Sequence, residues 1–155
     1  MKIASFIFEG SVLFLYNVVI CDDEPIIRES LSEYIESNFT ELQVSGVFFD
    51  GAQVLEYLKS GGIDILITDI KMKDKTGIDV LNHIYEHSIS TQVILITGYE
   101  EFEYAKEAIR CHACGMLTKP INLNELEKVL TDAKKNISMI KENVLHTSAS
   151  FLNAR

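Results

Sequence analysis

The fold of this chain is constrained most by five short apolar runs. Each run is followed by a stretch in which apolar residues recur at helical spacing. The runs are rich in Val and Ile and do not alternate with polar residues, which indicates strands that are buried on both faces. A strand–helix alternation of this kind predicts an α/β fold, with a five-stranded parallel sheet and helices on both faces. The predicted strands are Tyr16–Cys21, Leu42–Phe49, Ile63–Thr68, Gln92–Thr97 and Met116–Leu117.

Local signals mark where the helices between these strands begin and end. Pro25 suits the first turn of a helix, and Asp50 is a good cap for the next one. The predicted helices start near Pro25, Gly51, Ile78, Phe102 and Leu123. The last helix is expected to end near Asn143, with a frayed tail over residues 144–155.

The chain is predicted to contain one main domain, at residues 16–140, between two less certain segments. Residues 1–15 are mostly apolar, but Glu9 interrupts the run that a signal peptide or membrane anchor would need. They are interpreted as an N-terminal extension of uncertain structure, with an extra strand as the alternative. Residues 141–155 are interpreted as a C-terminal tail or the start of a linker.

The charge and cysteine content narrow the classes of partner. The chain has 155 residues, 47% of them hydrophobic, and a formal net charge of −9. This charge argues against direct binding of nucleic acid or of an anionic membrane, and favours a divalent cation or a basic partner. Cys21, Cys111 and Cys114 are predicted to be free thiols. The Cys111–Cys114 pair lacks the second pair of ligands that zinc would require.

Polar side chains of complementary type follow four of the predicted strands. Asp22 and Asp23 follow the first strand, Asp69 the third, Thr97 ends the fourth, and Lys119 follows the fifth. Taken singly, each has an ordinary explanation as a helix cap, a backbone partner or a solvated charge. Since the carboxyl ends of parallel strands meet at one edge of the sheet, together they predict a single pocket.

Three carboxylates in one pocket repel one another, and a hard divalent cation relieves that repulsion. Mg²⁺ suits the pocket because it prefers oxygen ligands, keeps several waters and shares its coordination shell with a phosphoryl group. A carboxylate beside such a metal can attack a phosphoryl group in line and form an acyl phosphate.

The ordered motifs around these positions resemble one known family. They are VVICDDEP at Val18–Pro25, ILITDIKM at Ile65–Met72, VILITGYEEFEYAKEAI at Val93–Ile109 and LTKPI at Leu117–Ile121. From about Tyr16 to Leu130 the chain resembles the receiver domain of two-component response regulators, which implies the flavodoxin-like strand order 2-1-3-4-5. The stretch Gly98–Ala105 is similar to regulators that carry an AraC-type DNA-binding output.

The resemblance implies a role for each pocket residue. Asp69 corresponds to the phosphoacceptor, Thr97 to the switch hydroxyl and Lys119 to the lysine that pairs with the phosphoryl group. Asp23 corresponds to a direct Mg²⁺ ligand and Asp22 to a ligand that acts through water. The backbone carbonyl of Lys71 corresponds to a further ligand, and the peptide bond between Lys119 and Pro120 is expected to be cis.

Two positions bear on switching and output. Met116 stands where the family usually has an aromatic residue, which turns inward as the switch hydroxyl moves. Met is flexible and apolar, so it is expected to move in a similar way with a less defined rotamer. Tyr99 and Lys71 are expected to flank the approach of a hydrolytic water to the phosphorylated aspartate.

The expected function is therefore a cytoplasmic signalling switch rather than an enzyme. A sensor histidine kinase is the implied partner, and a homodimer is expected through the face of the fourth helix, fifth strand and fifth helix. The output domain is expected to be absent from this chain. A haloacid-dehalogenase-type phosphatase, a flavodoxin-type cofactor module and a purely structural interaction module remain as alternatives. The phosphatase would need a second aspartate at the position of Lys71.

Overall fold

A five-stranded parallel sheet forms the centre of the chain, as predicted. The structure is a computed structural model that describes residues 5–8, 11–98 and 102–153, with side chains described for residues 15–98 and 103–150. The strands of this sheet are β3 (Tyr16–Cys21), β4 (Leu42–Phe48), β5 (Ile65–Asp69), β6 (Gln92–Thr97) and β7 (Gly115–Thr118). Their order is β4-β3-β5-β6-β7, which is 2-1-3-4-5 when the strands of this sheet are counted along the chain.

Five helices connect and follow these strands close to the predicted positions. They are α1 (Pro25–Asn38), α2 (Gly51–Leu58), α3 (Gly77–Glu86), α4 (Phe102–Arg110) and α5 (Leu123–Asn153). Asp50 caps α2 by accepting a hydrogen bond from the N–H of Ala52. Thr76 and Asp79 form a reciprocal capping box at the start of α3.

The predicted end of α5 near Asn143 is wrong, because the helix continues to Asn153. No Gly or Pro follows Pro120 in the sequence, so nothing breaks the helix. The hydroxyls of Thr147 and Ser148 donate to the carbonyls four residues earlier, at 2.8 and 2.9 Å. The expected fraying from residue 144 onward is therefore wrong as far as Asn153, and these hydroxyl groups are satisfied within the helix.

Alternate residues of each strand build two separate hydrophobic cores, one on each face of the sheet. Val18 and Ile20 point to the face covered by α1 and α5, where Leu126 is fully buried. Val19 points to the opposite face, which α2, α3 and α4 cover, and packs in the same cluster as Val54. This burial on both faces explains why the strands read as continuous apolar runs.

The N-terminal segment contains two further strands, β1 (Ser5–Phe8) and β2 (Ser11–Phe14). They pair antiparallel and form a two-stranded sheet of their own, separate from the central sheet. The extra strand that was the alternative for residues 1–15 is therefore observed, as a pair of strands at these eight positions. Among the described residues, no helix has the length and apolar character needed to cross a membrane.

The strand register brings the predicted pocket residues to one edge of the sheet. Cys21 lies beside Thr68, and Asp69 lies beside Ile96. On the other side of β6, Thr97 pairs with Thr118. The residues that follow each strand therefore emerge next to one another at the carboxyl edge of the sheet.

Candidate functional site

Asp22 leaves the end of β3 and is the most buried charged group of the site. Its side chain is fully buried, and its Oδ1 accepts a hydrogen bond from the N–H of Glu24 at 2.9 Å. The guanidinium of Arg28 donates to the backbone carbonyl of Asp22 at 2.6 Å. Among the described residues, the other oxygen, Oδ2, has no hydrogen-bond partner, but it forms an ion pair with Nζ of Lys119 at 3.1 Å. The backbone thus fixes one oxygen of this carboxylate, and the other faces the ammonium group of Lys119.

Lys119 joins the strand ends of the site. Its Nζ lies 2.7 Å from Oε1 of Glu24, 3.1 Å from Oδ2 of Asp22 and 3.3 Å from Oδ2 of Asp69. Its backbone N–H donates to the carbonyl of Thr97 at 2.8 Å, which holds the loop after β7 against the end of β6. The Lys119–Pro120 peptide bond is cis, as expected. One ammonium group therefore contacts carboxylates from the ends of β3 and β5.

The electrostatic environment makes Asp69 harder to ionise than a free carboxyl group. Burial raises its pKa most, and the charges of Asp22 and Asp23 add to this, while Lys119 acts in the opposite direction. The resulting pKa of Asp69 is about 6. Burial is also the main cause of the raised pKa of Asp22. The site therefore has an excess of negative charge that Lys119 alone does not neutralise.

Three neighbouring carboxylates could hold a metal ion. Asp22, Asp23 and Glu24 each offer an oxygen, and these three oxygens lie within 4.8 Å of one another. The predicted ligand set contained Asp69 in place of Glu24, and the structure connects Asp69 to this group through Lys119. The buried Oδ2 of Asp22, which makes no hydrogen bond with the described residues, and the all-oxygen donor set fit a hard divalent cation such as Mg²⁺.

Thr97 and Lys71 are the two remaining residues of the predicted site around Asp69. Thr97 ends β6, and Lys71 lies in the loop that follows Asp69. Thr97 is buried at the end of β6, and its hydroxyl donates to the carbonyl of Gly98 at 3.0 Å. Lys71 lies two residues after Asp69 with an exposed side chain, at the start of the loop between β5 and α3. Asp69 lies beside Ile96 in the sheet, so Thr97 follows at the next position of the neighbouring strand.

Asp50 anchors the loop between β5 and α3, a role that the sequence did not reveal. Its two carboxylate oxygens accept hydrogen bonds from the backbone N–H groups of Ala52 at 2.8 Å, Asp74 at 2.8 Å and Lys75 at 3.3 Å. The N–H of Gly51 also donates to the carbonyl of Lys75 at 3.1 Å. The start of α2 therefore holds the loop that carries Lys71.

Met116 and Tyr99 are the two positions predicted to act in switching and output. Met116 is half-buried in β7 and packs against the core on the side of α2, α3 and α4. In the register of the sheet it lies beside Leu95 of β6. Tyr99 lies outside the residues that the structure describes.

Glu24 and Arg28 are the other site residues that the sequence interpretation missed. Glu24 directly follows the Asp22–Asp23 pair in the VVICDDEP motif, which was the available signal. Arg28 lies one turn further along α1, and the spacing of four residues from Glu24 places both on one side of the helix. The motif alone does not predict where the side chains of Glu24 and Arg28 point, because their direction depends on how α1 packs.

Comparisons with known proteins identify the family. Residues 18–131 match the model of the response regulator receiver domain. The chain is 37% identical over 119 residues to an uncharacterized response regulatory protein of Staphylococcus epidermidis strain ATCC 12228, covering 75% of this chain and 45% of the relative. It is 36% identical over 116 residues to the transcriptional regulatory protein HptR of Staphylococcus aureus, with the same coverage of both chains. The chain thus spans less than half the length of these curated relatives.

Solved structures agree with this result. The receiver domain of AraT, a response regulator from Geobacillus stearothermophilus, superposes with a TM-score of 0.73 at 34% identity, over 82% of this chain and 98% of that one. The isolated receiver domain of RcsB from Salmonella enterica serovar Typhimurium gives a TM-score of 0.70 at 27% identity, over 78% and 89% of the two chains. A LuxR-family DNA-binding response regulator from Staphylococcus aureus shares the fold, with a TM-score of 0.71 at 19% identity, over 77% and 98% of the two chains.

The family match begins inside β3 and ends in α5, so it includes every strand of the central sheet and all four strand ends that form the site. The chain belongs to the response regulator receiver domain family, the receiver module of two-component signalling.

Proposed function

We propose that this domain is a phosphorylation-dependent switch that accepts a phosphoryl group on Asp69 with Mg²⁺ bound at the adjacent carboxylates. The observation that carries the proposal is the Lys119 ammonium, 3.3 Å from Asp69 and 3.1 Å from Asp22. A nucleophilic carboxylate, a buried acidic group and a cation are thus assembled at one sheet edge. The proposed donor is a phosphohistidine of a sensor histidine kinase.

The residues of the site suit each part of this reaction. Since the pKa of Asp69 is about 6, its carboxylate is mostly ionised at neutral pH and is available as a nucleophile. An oxygen of Asp69 attacks the phosphorus atom, and the bond from phosphorus to the donor breaks with its electron pair leaving on the donor. Lys119 pairs with the phosphoryl oxygens, and Thr97 donates its hydroxyl to them after turning from the carbonyl of Gly98.

Asp22, Asp23 and Asp69, with the backbone carbonyl of Lys71, are the groups proposed to hold Mg²⁺. When bound, the ion supplies positive charge that offsets the repulsion between the carboxylates and the incoming phosphoryl group. The buried Asp22 is oriented for this by the N–H of Glu24. Its buried Oδ2 makes no hydrogen bond with the described residues, which supports a role for this atom in holding the ion.

The proposed output is a change in the face formed by α4, β7 and α5. Thr97 ends β6, and Met116 lies in the neighbouring strand β7, which is part of this face. A movement of the Thr97 hydroxyl therefore takes place beside that face. Homodimerisation through this face, a cytoplasmic location and control of transcription through an AraC-type domain outside this chain belong to the same proposal. The relative HptR is described as a transcriptional regulatory protein, which supports the transcriptional part.

Treatment with acetyl phosphate and Mg²⁺, followed by intact-mass measurement, tests the phosphoacceptor. We expect the wild-type chain to gain the mass of one phosphoryl group and Asp69→Asn to gain none. Asp132→Asn, an exposed change on α5, serves as the matched control and should gain it normally. An unmodified wild-type chain, or equal modification of Asp69→Asn, contradicts the proposal.

A further inference from the structure

Glu24 makes the shortest of the three ion-pair contacts of Lys119. The Nζ–Oε1 distance is 2.7 Å, compared with 3.1 Å to Asp22 and 3.3 Å to Asp69. Glu24 was not among the predicted site residues. It immediately follows the acidic pair and stands at the N-cap position of α1, where its side chain makes no capping hydrogen bond.

The three carboxylates differ in how freely they can release Lys119. The side chain of Asp22 is 0% exposed and that of Asp69 is 8% exposed, whereas that of Glu24 is 55% exposed. Water can replace Lys119 as the partner of a half-exposed carboxylate, but it cannot reach a buried one as easily. Glu24 is therefore the partner that Lys119 can leave at the lowest cost.

An ammonium group has three N–H donors, and in this structure it faces three carboxylates. A phosphoryl group on Asp69 brings new oxygens that need a donor from Lys119. Asp22 and Asp69 are buried beside Lys119, whereas Glu24 is half-exposed, so the contact with Glu24 is the one exchanged at the lowest cost.

We propose that Glu24 is a positioning residue that holds Lys119 in the resting state and releases it when Asp69 is phosphorylated. This inference rests on the proposed function of Asp69. Glu24 acts as a latch: its contact with Lys119 slows phosphorylation and favours the unphosphorylated arrangement of the site. The shift of Lys119 from Glu24 to the phosphoryl group is then part of the switch itself.

A rival role for Glu24 follows from its place in the group of three carboxylates that could hold a metal ion. A metal ligand and a latch predict opposite effects. Loss of a ligand weakens Mg²⁺ binding and slows phosphorylation, whereas loss of a latch speeds phosphorylation and leaves Mg²⁺ binding nearly unchanged.

Three variants separate contact from charge. Glu24→Gln removes the charge and keeps the length of the side chain. Glu24→Asp keeps the charge but shortens the side chain, and Asp at an N-cap position prefers the N–H groups of its own helix. Glu33→Gln is the matched control, because it removes an exposed negative charge from the same helix at a distance of roughly 13 Å along its axis.

The measured quantities are the rate of phosphorylation by acetyl phosphate at saturating Mg²⁺ and the Mg²⁺ concentration that gives half the maximal rate. In the reaction, an oxygen of Asp69 attacks phosphorus and acetate leaves with the electron pair of the broken bond. We expect Glu24→Gln and Glu24→Asp to react about two- to fivefold faster than wild type, since half-exposed ion pairs are weak. Glu33→Gln should react at the wild-type rate, and all variants should need the same Mg²⁺ concentration.

Each other result overturns the latch. An unchanged or slower Glu24→Gln excludes it, and a slower variant that also needs more Mg²⁺ identifies a metal ligand instead. A fast Glu24→Gln beside a Glu24→Asp at the wild-type rate shows that only the charge of Glu24 matters. A wild-type chain that is never phosphorylated overturns the proposed function first, and the latch with it, and is thereby distinguishable from a failure of the latch alone.

Discussion

At the scale of single residues, the site is a cluster of charges that is unfavourable by itself. Burial raises the pKa values of both Asp69 and Asp22, the charge of Asp22 adds to the rise at Asp69, and Lys119 offsets only part of this. Burial also acts to lower the pKa of Lys119, but its contacts with Glu24 and Asp22 and the charge of Asp69 raise it above its ordinary value. The folded protein therefore keeps Lys119 charged and tolerates a costly carboxylate at Asp69.

The cost of Asp69 predicts a pH-dependent stabilisation by Asp69→Asn. Its pKa of about 6 in the folded protein, against an ordinary value of 3.8, means that the folded state binds the proton more tightly than the unfolded state. The penalty is thus absent below about pH 4, grows as the pH rises, and is complete above about pH 6. In metal-free buffer at pH 7.5, we expect Asp69→Asn to raise the free energy of unfolding by about 1–3 kcal/mol.

Urea unfolding in EDTA at pH 7.5, 5 and 4 measures this effect. The gain should shrink as the pH falls, while the exposed control Asp132→Asn should show little change at any pH. A gain that is the same at pH 4 and pH 7.5 would mean that the charge of Asp69 is not its cause.

The sequence predicted the main pocket residues because each stands at the end of a strand. The parallel arrangement of the strands is enough to bring four of them to one edge of the sheet: Asp22, Asp69, Thr97 and Lys119. Glu24 and Asp50 were missed for another reason: the position of their side chains depends on a turn or a helix start. The sequence indicates that Asp50 can cap a helix. It does not indicate that Asp50 also binds the loop at residues 74 and 75, which is distant in the chain.

At the scale of elements, backbone contacts hold the loop between β5 and α3 close to Asp69. The N–H of Gly77 donates to the carbonyl of Ile70 at 3.0 Å, so the loop closes on itself directly after Asp69. A Cβ atom added at Gly77 would lie 2.3 Å from the backbone oxygen of Asp69. The start of α3 therefore packs directly against the residue proposed to react.

This close approach predicts that Gly77→Ala is destabilising although Ala favours helices. We expect a loss of about 1–3 kcal/mol, because an added methyl group forces the backbone of Asp69 to shift. Gly62→Ala is the matched control, since no atom lies within 4 Å of the Cβ position there, and its effect should stay within about 0.5 kcal/mol.

Thermal or urea unfolding of both variants checks the prediction. Similar stabilities for Gly77→Ala and Gly62→Ala would show that the loop adapts without cost. A selective loss in Gly77→Ala should also slow the phosphorylation of Asp69, because the same backbone shift moves its carboxylate.

Prediction from sequence was most successful for the elements of the central sheet. The strands from Tyr16 to Thr97 were found because burial on both faces leaves a continuous apolar pattern. The error at α5 arose because the last residues of a chain are expected to fray, whereas the absence of Gly and Pro was the better signal. The two strands of the N-terminal segment could not be assigned, since an apolar run alone fits several structures.

At the scale of the whole molecule, the proposed Mg²⁺ site predicts that metal binding stabilises the fold. A ligand that binds only the folded state stabilises it by an amount that grows with its concentration relative to the dissociation constant. With Mg²⁺ well above that constant, we expect the free energy of unfolding to rise by roughly 1–3 kcal/mol.

Thermal unfolding with millimolar MgCl₂, compared with NaCl at equal ionic strength, measures this stabilisation. Asp23→Asn is the informative variant, because Asp23 is exposed and its loss should leave the fold intact while reducing the response to Mg²⁺. An equal melting temperature in both salts contradicts a metal site at these carboxylates.

The length of α5 has a mechanical consequence. Leu126, Leu130 and Ile137 fasten its first half to the sheet, and from Val144 onward the side chains are exposed up to residue 150. The helix extends 16 residues past Ile137, to Asn153, which is about 24 Å. A tilt of about 5° at the sheet would displace the far end by about 2 Å at this length. A small tilt of the helix at the sheet therefore becomes a larger displacement at its exposed end.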